Sequence, residues 1–253
     1  MIPHSRTLTS SRASLKTLFE IVHEDADLLV INKPAGLVCH PTKGDEYSSL
    51  ISRARLHVGA GSEPQLINRL DRETSGVTLV AKNAETALEI RRIWEQRDVT
   101  KKYLAIVHGT VEPDDGVSDA PLGKDTRSPV AIKDCVVADG APARTQFRVL
   151  RRFSRSEGEF SLLEVQPLTG RKHQIRIHLA HIGHPIVGDK LYGLDENIYL
   201  DFVSYRLTDA QRQRLILPYH ALHAAEVRLA WRGHERRFLA EAEDWFRGFL
   251  AGT

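Results

Sequence analysis

The chain has 253 residues, of which 42% are hydrophobic and 27% are charged, as is typical of a globular protein with one large domain or two small ones. Lys and Arg total 35 against 33 Asp and Glu, and the net charge of +2 is too small to indicate by itself a polyanion-binding protein. No apolar run approaches the roughly 18 residues of a membrane span, so we expect a cytoplasmic protein without membrane contact.

The N-terminal third of the chain is predicted to contain a loose tail, two strands and a helix. Ser and Thr are frequent in residues 1–18 and no apolar period is sustained there, which indicates a flexible tail ahead of a folded domain over residues 19–253. The apolar runs at residues 28–34 and 77–81 predict strands. Asn83 is well placed to cap a helix, because apolar residues follow it at helical spacings.

The remainder of the chain is predicted to contain several strands and few helices. The stretch at residues 109–142 has the Gly, Pro and Asp content of irregular structure. Residue patterns predict strands at residues 103–108, 145–150, 160–167, 220–231 and 237–242, and helices at residues 172–182 and 243–250. Isolated helices among runs of strands favour an α+β fold with a mixed, mainly antiparallel sheet flanked by helices.

The segment NRLDRETSG, residues 68–76, is the first candidate for a functional site. Asp71 lies between Arg69 and Arg72, whose positive charge would keep its carboxylate ionised and able to act as a nucleophile or base. A surface loop of salt bridges that ends in a turn explains the same residues. Glu73 is a poor glycosidase partner for Asp71, because that chemistry needs two carboxyl groups about 5 Å or more apart across a sugar.

Tyr103 and Arg176 are further candidates, each on a predicted regular element. Tyr103 opens an alternating strand after Lys101 and Lys102, where it is either a core residue or a ring that stacks on a nucleobase. Arg176 borders an apolar stripe of a predicted helix, and an unpaired buried charge would cost about 3–5 kcal/mol, so we expect a carboxylate partner. Arginine is frequent around it, which suits phosphate oxygens, although solvated faces of strands and helices explain the same charge.

No metal or nucleotide cofactor is predicted. Four histidines lie close together in the sequence: His173, His178, His181 and His184. Their spacings do not put three imidazoles on one helical face, and the HExxH pattern is absent. Cys39 and Cys135 are far apart without CxxC spacing, as expected of reduced thiols with structural or neutral roles. The sequence contains neither a GxxxxGK[ST] loop nor a GxGxxG loop for binding phosphates.

Four segments, in this order, resemble the RluA family of RNA pseudouridine synthases: HEDADLLVINKPAGLVCHP, NRLDRETSGVTLVAK, KKYLAIVHG and PLTGRKHQIRIHLAHIGHPIVGDKLYG. The resemblance extends from about residue 19 to residue 242, and its RLDxxTSG and TGRxHQIRxH signatures are highly specific. It implies the pseudouridine synthase fold with a central basic cleft. It also implies an isomerase that converts specific uridines of ribosomal or transfer RNA to pseudouridine without a metal or an organic cofactor.

The resemblance implies roles for several residues already named. Asp71 matches the family nucleophile, Tyr103 the tyrosine that stacks on the target uracil, and Arg176 the arginine that pairs with the nucleophile. Arg69 matches the arginine that fills the space left by the target nucleotide, and Ile175 matches the aliphatic residue packed beside the active-site arginine. The expected RNA-binding residues are Asn68, Arg69, Arg72, Lys101, Lys102, Arg171, Lys172 and His173.

Two features set this chain apart from common patterns of the family. Asn68 stands where the family most often has histidine before RLD, which replaces a titratable group but leaves the nucleophile in place. Fewer than about 20 residues precede the first predicted strand, too few for the small RNA-binding domain that many relatives carry. We therefore expect a monomer that recognises RNA through its catalytic domain, with target discrimination in the loops at residues 109–142 and 194–218.

Two other functions remain open from the sequence alone. An RNA-binding or ribosome-assembly protein on the same fold would use the basic residues, with catalysis lost or secondary. A glycosidase or nucleoside hydrolase would need a second, acidic carboxyl group near Asp71, and no residue of the sequence is an obvious candidate for it.

Overall fold

The computed structural model describes residues 19–41 and 49–252; the predicted tail at residues 1–18 lies outside them. The strands are β1 (Glu20–Glu24), β2 (Leu28–Lys33), β3 (Gln65–Leu66), β4 (Ser75–Ala81), β5 (Val99–His108), β6 (Asp115–Asp119), β7 (Leu122–Lys124), β8 (Asp134–Val136), β9 (Arg144–Arg155), β10 (Gly158–Pro167), β11 (Leu222–Trp231) and β12 (His234–Leu239). The helices are α1 (Leu50–Val58), α2 (Ala84–Glu95), α3 (Gln174–His181), α4 (Asn197–Val203), α5 (Asp209–Leu215) and α6 (Asp244–Ala251). None of these described helices is long and apolar enough to cross a membrane.

A mixed sheet forms the centre of the described part of the chain. Its strands lie in the order β1-β2-β4-β11-β5-β10-β9-β6, with β3 paired to β4 and β12 paired to β11. Within residues 19–41 and 49–252, every pair of neighbouring strands is antiparallel except β4 and β11, which are parallel. β7 and β8 form a separate two-stranded sheet. The predicted α+β fold with a mainly antiparallel sheet is confirmed.

Three parts of the chain differ from the expected secondary structure. The stretch at residues 109–142, predicted to be irregular, contains β6, β7 and β8, which are short and largely polar strands. Strands β1 and β3 and helices α1, α4 and α5 are additional to the predicted elements, and α4 and α5 have only seven residues each. Helix α3 begins at Gln174 rather than at residue 172, because His173 has a left-handed backbone with φ of 56°.

The central strands β2 and β4 are buried along their whole length. Successive side chains of a strand point to opposite faces, so Leu28 and Val30 pack into the core that contains Ile90 of α2. Leu29 and Ile31 pack into the core that contains the buried residues of α1. Helices on both faces therefore fix β4 in the middle of the sheet, and β4 follows directly after the loop that carries Asp71.

Gly76 lies where β4 and β11 run side by side. Its φ is +113°, and a Cβ atom there would overlap the carbonyl oxygen of Ala224. We expect Gly76→Ala to destabilise the protein by about 3 kcal/mol or more, because both the backbone conformation and the available space exclude a side chain. Gly158→Ala is the matched control, since Gly158 has φ of +137° but open space around it. There we expect a loss of only about 1 kcal/mol, and equal losses in urea unfolding would contradict the close contact with Ala224.

Candidate active site

Two buried side chains, Lys33 at the end of β2 and Cys39 in the segment that follows it, hold the loop that carries Asp71. The Nζ of Lys33, which is fully buried, donates to the carbonyl of Arg72 at 3.2 Å, and burial lowers the pKa of this lysine to about 8. The Sγ of Cys39 donates to the carbonyl of Leu70 at 3.3 Å and accepts from its N–H at 3.4 Å. Because the backbone is bound on both sides of Asp71, the position of its carboxylate is defined before any ligand arrives.

Arg176 links two carboxylates. Its Nη1 donates to Asp71 Oδ2 at 2.9 Å, and its Nε and Nη2 donate to the two oxygens of Asp189 at 2.6 and 2.9 Å. Asp189 is fully buried at its side chain and also accepts from the backbone N–H groups of Leu191 and Tyr192, both at 2.9 Å. The bidentate contact with Asp189 fixes the plane of the guanidinium, which therefore presents one N–H to Asp71.

These contacts determine the charge states of the site. Burial raises the pKa of the Asp71 carboxyl, but the adjacent Arg176 guanidinium, together with His173 and His220, outweighs this effect and holds the net pKa below its usual range. The same two causes act on Asp189, whose pKa is also lowered. Burial, together with the negative charge of Asp71, raises the pKa of the Tyr103 phenol. At neutral pH the site therefore contains an ionised Asp71 next to an uncharged Tyr103.

Asp71 and Tyr103 line the same small cavity of about 100 Å³. Ile175 and Leu222 supply aliphatic groups to its lining, and Arg176 supplies the positive charge. An aromatic ring, aliphatic side chains and one ionised carboxylate are the components that hold a planar base next to a nucleophile. The structure thus brings together Asp71, Tyr103 and Arg176, of which the first and last are 105 positions apart in the sequence.

A wider cavity of about 520 Å³ is also lined by Asp71, and it collects basic residues from three parts of the chain. Arg69 precedes β4, Lys101 belongs to β5, and Arg171 and Lys172 precede α3. Arg69, Arg171 and Lys172 are exposed to solvent on this side of the molecule. The Nζ of Lys172 is ion-paired with Asp134 at 2.8 Å, and the Nε of Arg171 donates to the carbonyl of Pro142 at 3.1 Å, so a polyanion that enters the cavity meets Arg69 directly and competes with these contacts at the other two residues.

The pH dependence of stability should report the buried carboxylates. Because the folded-state pKa of Asp189 lies below its ordinary value of 3.8, its ionised form contributes stability above that pH, and this contribution is lost as the pH falls towards the folded-state pKa. We expect the difference in thermal midpoint between wild type and Asp189→Asn to be largest near pH 6 and to narrow below about pH 4. Asp244→Asn removes an exposed carboxylate and should have a thermal midpoint close to that of wild type at every pH. If the difference in midpoint between wild type and Asp189→Asn did not change with pH, the lowered pKa of Asp189 would be contradicted.

The family model for RNA pseudouridylate synthases matches residues 27–181, a segment that contains both signatures together with Asp71, Tyr103 and Arg176. The chain belongs to this family. It is 43% identical over 178 residues to the ribosomal large subunit pseudouridine synthase D of Nitrosomonas europaea, and the aligned segment covers 69% of this chain and 49% of that protein. It is 39% identical over 180 residues to the uncharacterized RNA pseudouridine synthase YlyB of Bacillus subtilis, and the aligned segment covers 69% of this chain and 57% of that protein. The chain spans about half the length of these curated relatives.

Solved pseudouridine synthase structures share the fold. The human RNA pseudouridylate synthase domain containing 4 is 29% identical to this chain, with a TM-score of 0.69 and coverage of 91% of both chains. The human RNA pseudouridylate synthase domain containing 1 has a TM-score of 0.70, with 96% of this chain and 98% of that chain covered. At 24% identity, the second likeness concerns the fold alone.

Several residues expected to bind RNA have other contacts in this family member, and those of Lys102 and Asn68 leave them least available. Lys102 neighbours Tyr103 on β5, so its side chain points to the opposite face of the sheet, where its Nζ contacts Glu164 at 3.2 Å. The structure therefore does not place Lys102 with the other candidate residues. The Asn68 amide donates to the carbonyl of Val77 at 3.1 Å and accepts from the N–H of Leu79 at 2.8 Å. Asn68 is thus occupied in holding the loop against β4.

The histidines of the α3 region have separate partners. His173 hydrogen-bonds to the Tyr192 hydroxyl through Nδ1 at 2.8 Å, and its Nε2 lies 3.8 Å from Asp71 Oδ1. His178 is buried and bonds to Thr145 Oγ1 at 2.8 Å, and His184 contacts a backbone carbonyl at 3.0 Å. In the described ranges, no group of three His, Cys, Asp or Glu side chains is arranged to hold a metal ion.

A buried polar cluster beside Asp71 was not predicted from the sequence. Lys190 Nζ donates to Glu73 Oε1 at 2.7 Å, and His220 Nε2 hydrogen-bonds to Thr74 Oγ1, also at 2.7 Å. Burial lowers the pKa of His220 to about 3, so this imidazole is neutral at physiological pH. Burial raises the pKa of the Glu73 carboxyl, but Glu73 is bound to Lys190 and Asp189 is bound to Arg176, so neither carboxyl group is free to protonate a leaving group as a glycosidase requires. The sequence signal that could have indicated this cluster is the GDKLYG segment, which contains Asp189 and Lys190.

Proposed function

We propose that this chain converts specific uridines of ribosomal or transfer RNA to pseudouridine, with Asp71 as the nucleophile. The observation that carries the proposal is the ionised Asp71 carboxylate, held 2.9 Å from Arg176 in a cavity that Tyr103 also lines. The name of the relative in Nitrosomonas europaea supports ribosomal RNA as the first substrate to test. We further propose that residues 19–253 form one catalytic unit, which acts as a monomer in the cytoplasm.

Binding requires the target uridine to leave its stack. Extrusion of a base costs a few kcal/mol, which is offset by stacking on an aromatic ring and by contacts to the RNA backbone. Tyr103 is the ring, and Ile175 packs beside the flipped base. Arg69 enters the space that the base leaves, while Lys101 and Arg171 contact phosphates from the wider cavity.

The isomerisation breaks the C1′–N1 bond, turns the base, forms a C1′–C5 bond, releases the C5 proton and adds a proton from solvent to N1. Asp71 acts by attack on C1′, by attack on C6 of the ring, or by promoting loss of the C2′ proton, and each route requires the ionised carboxylate. Arg176 keeps Asp71 ionised and aimed at the base, and Asp189 holds Arg176 in place. The Tyr103 phenol stays uncharged, so its ring stacks on uracil without placing a second anion near Asp71.

Mapping the product tests the substrate class. Unmodified ribosomal RNA and unmodified transfer RNA are incubated separately with the protein, and pseudouridine is located by reverse-transcription stops after carbodiimide labelling. We expect new stops at one or a few uridines in one pool, mainly ribosomal RNA. Pseudouridine in neither pool would contradict the proposed function, and stops only in transfer RNA would contradict the ribosomal assignment alone.

A further inference from the structure

A second cavity of about 200 Å³ adjoins Asp71 on the side of helix α4. Asp71, His173 and Arg176 line both this cavity and the one that contains Tyr103, so the two compartments share the central charged residues. Phe202 and Val203, at the C-terminal end of α4, supply apolar groups to the lining of the second cavity. No step of the proposed isomerisation uses this second compartment.

Tyr205 follows α4 in a conformation that is unusual for its residue type. Its N–H donates to the carbonyl of Phe202 at 3.1 Å, and the N–H of Arg206 donates to the carbonyl of Asp201 at 2.8 Å. These two bonds form a Schellman motif, which ends many helices. The motif favours glycine at the position of Tyr205, because φ is positive there. The φ of Tyr205 is 57°, so this tyrosine occupies a site where its side chain carries a steric cost.

The Tyr205 side chain has little contact with the rest of the protein. It is 94% exposed, more than any other large hydrophobic residue in the described part of the chain. A strained and exposed aromatic residue does not stabilise the isolated fold, and such conflicts between local preference and residue type concentrate at functional positions. The ring is therefore available for an external partner that stacks on it.

Two arginines accompany Phe202 and Tyr205. The guanidinium of Arg72, the residue that follows Asp71, lies 5.7 Å from the centre of the Phe202 ring. Arg206, which follows Tyr205, is 69% exposed at its side chain, and its Nη2 forms a long ion pair with Asp201 at 3.7 Å. Aromatic rings interleaved with guanidinium groups are the combination that binds single-stranded nucleic acid, with bases stacked on the rings and phosphates beside the charges.

Base flipping itself creates a need for such a surface. When the target uridine leaves its stack, the neighbouring base loses a stacking partner, and an aromatic ring next to the active site replaces that partner. We propose that Phe202, Val203 and Tyr205 bind an unpaired nucleotide next to the target uridine in the substrate RNA, with Tyr205 stacked on its base. This inference rests on the proposed function, because it requires the target base to be in the cavity of Asp71 and Tyr103.

Substitution by glycine separates RNA binding from fold stability at this position. Glycine relieves the strain of the positive φ, so the thermal midpoint of Tyr205→Gly should not fall and should rise by up to about 3 °C. The same variant loses the stacking ring, so its Kd for a short fluorescein-labelled oligouridine should increase about 5- to 100-fold. In the isomerisation assay its KM should rise in the same range, while kcat stays within about twofold, since Tyr205 does not touch the reacting atoms.

Two further variants serve as matched controls. Tyr205→Phe keeps the ring and should bind the oligouridine within about twofold of wild type. Leu239→Ala removes a side chain that is 51% exposed at the end of β12 and should leave both binding and KM unchanged. Wild-type affinity in Tyr205→Gly would overturn the inference. A weaker affinity accompanied by a lower thermal midpoint would also overturn it, because Tyr205 would then be a structural residue.

The outcome for wild type separates this inference from the proposed function. If wild type isomerises uridine but Tyr205→Gly has an unchanged KM, the nucleotide surface is wrong and the catalytic assignment stands. If wild type isomerises no RNA, the proposed function fails, and the placement of Phe202, Val203 and Tyr205 next to a target uridine fails with it. Binding of oligouridine that depends on Tyr205 would then identify a nucleic-acid surface without the isomerase.

Discussion

Replacement of Asp71 by asparagine is expected to abolish pseudouridine formation, with kcat reduced by about 10⁴-fold or more, as is typical when a nucleophile is removed. Asparagine keeps the size of the side chain and an oxygen for Arg176, but it is neither a nucleophile nor a base at neutral pH. The exposed charges of Arg69, Arg171 and Lys172 are unchanged in the variant. The Kd for RNA should therefore stay within a few-fold of wild type at a fixed salt concentration.

Single-turnover formation of pseudouridine and filter binding of the same RNA measure the two quantities. Asp244→Asn is the matched control, because it makes the same chemical change at a carboxylate that is 95% exposed. Turnover by Asp71→Asn within about tenfold of wild type would show that another group is the nucleophile. A parallel loss of RNA affinity would show that Asp71 contributes to binding instead of to the chemical step.

Truncation of Asp189 should have the largest effect on stability among the charged residues of the site. Asp189→Ala leaves two backbone N–H groups without an acceptor and leaves Arg176 buried with Asp71 as its remaining carboxylate. Breaking a buried ion pair in this way costs about 3–5 kcal/mol, which urea unfolding should detect as a lower midpoint with an unchanged m-value. We also expect kcat to fall by about tenfold or more while KM changes little, because Arg176 loses the contact that aims it at Asp71.

Asp189→Asn is a graded comparison for this experiment. Its amide oxygen still accepts from the backbone N–H groups of Leu191 and Tyr192, so its loss of stability should be smaller than that of Asp189→Ala. If the unfolding free energy of Asp189→Ala lay within about 1 kcal/mol of wild type, the buried pair would not hold Arg176 as described.

Local sequence patterns were sufficient for the elements that position the site. The apolar run of β2 and the strand after Gly76 appear where they were predicted, and Asn83 caps α2 by accepting a hydrogen bond from the Thr86 N–H at 2.9 Å. The need for a carboxylate beside Arg176 also followed from the sequence, since a buried charge requires a partner. The identity of the second partner, Asp189, did not follow, because pairing between α3 and a later loop depends on tertiary packing.

Other features were missed for identifiable reasons. Lys102 was grouped with Lys101, although neighbouring residues of a strand point to opposite faces. This alternation could have been applied to the predicted strand without the structure. Helix α5 carries a capping box in which Thr208 and Gln211 bond reciprocally, and this signal was readable in the sequence. Helix α4 has seven residues and neither a side-chain cap nor an acidic residue in its first turn, so its boundaries required the structure. The surface around Tyr205 depends on that helix.

Tritium release from RNA labelled at uridine C5 tests the central claim most directly, because C5 must lose its proton once the new C–C bond has formed. Wild type and Asp71→Asn are assayed side by side on bulk unmodified ribosomal and transfer RNA. We predict release by wild type in proportion to the pseudouridine formed, and none by Asp71→Asn. No release by wild type from either pool, with tight and salt-sensitive RNA binding retained, would contradict the isomerase and favour an RNA-binding or ribosome-assembly protein on this fold.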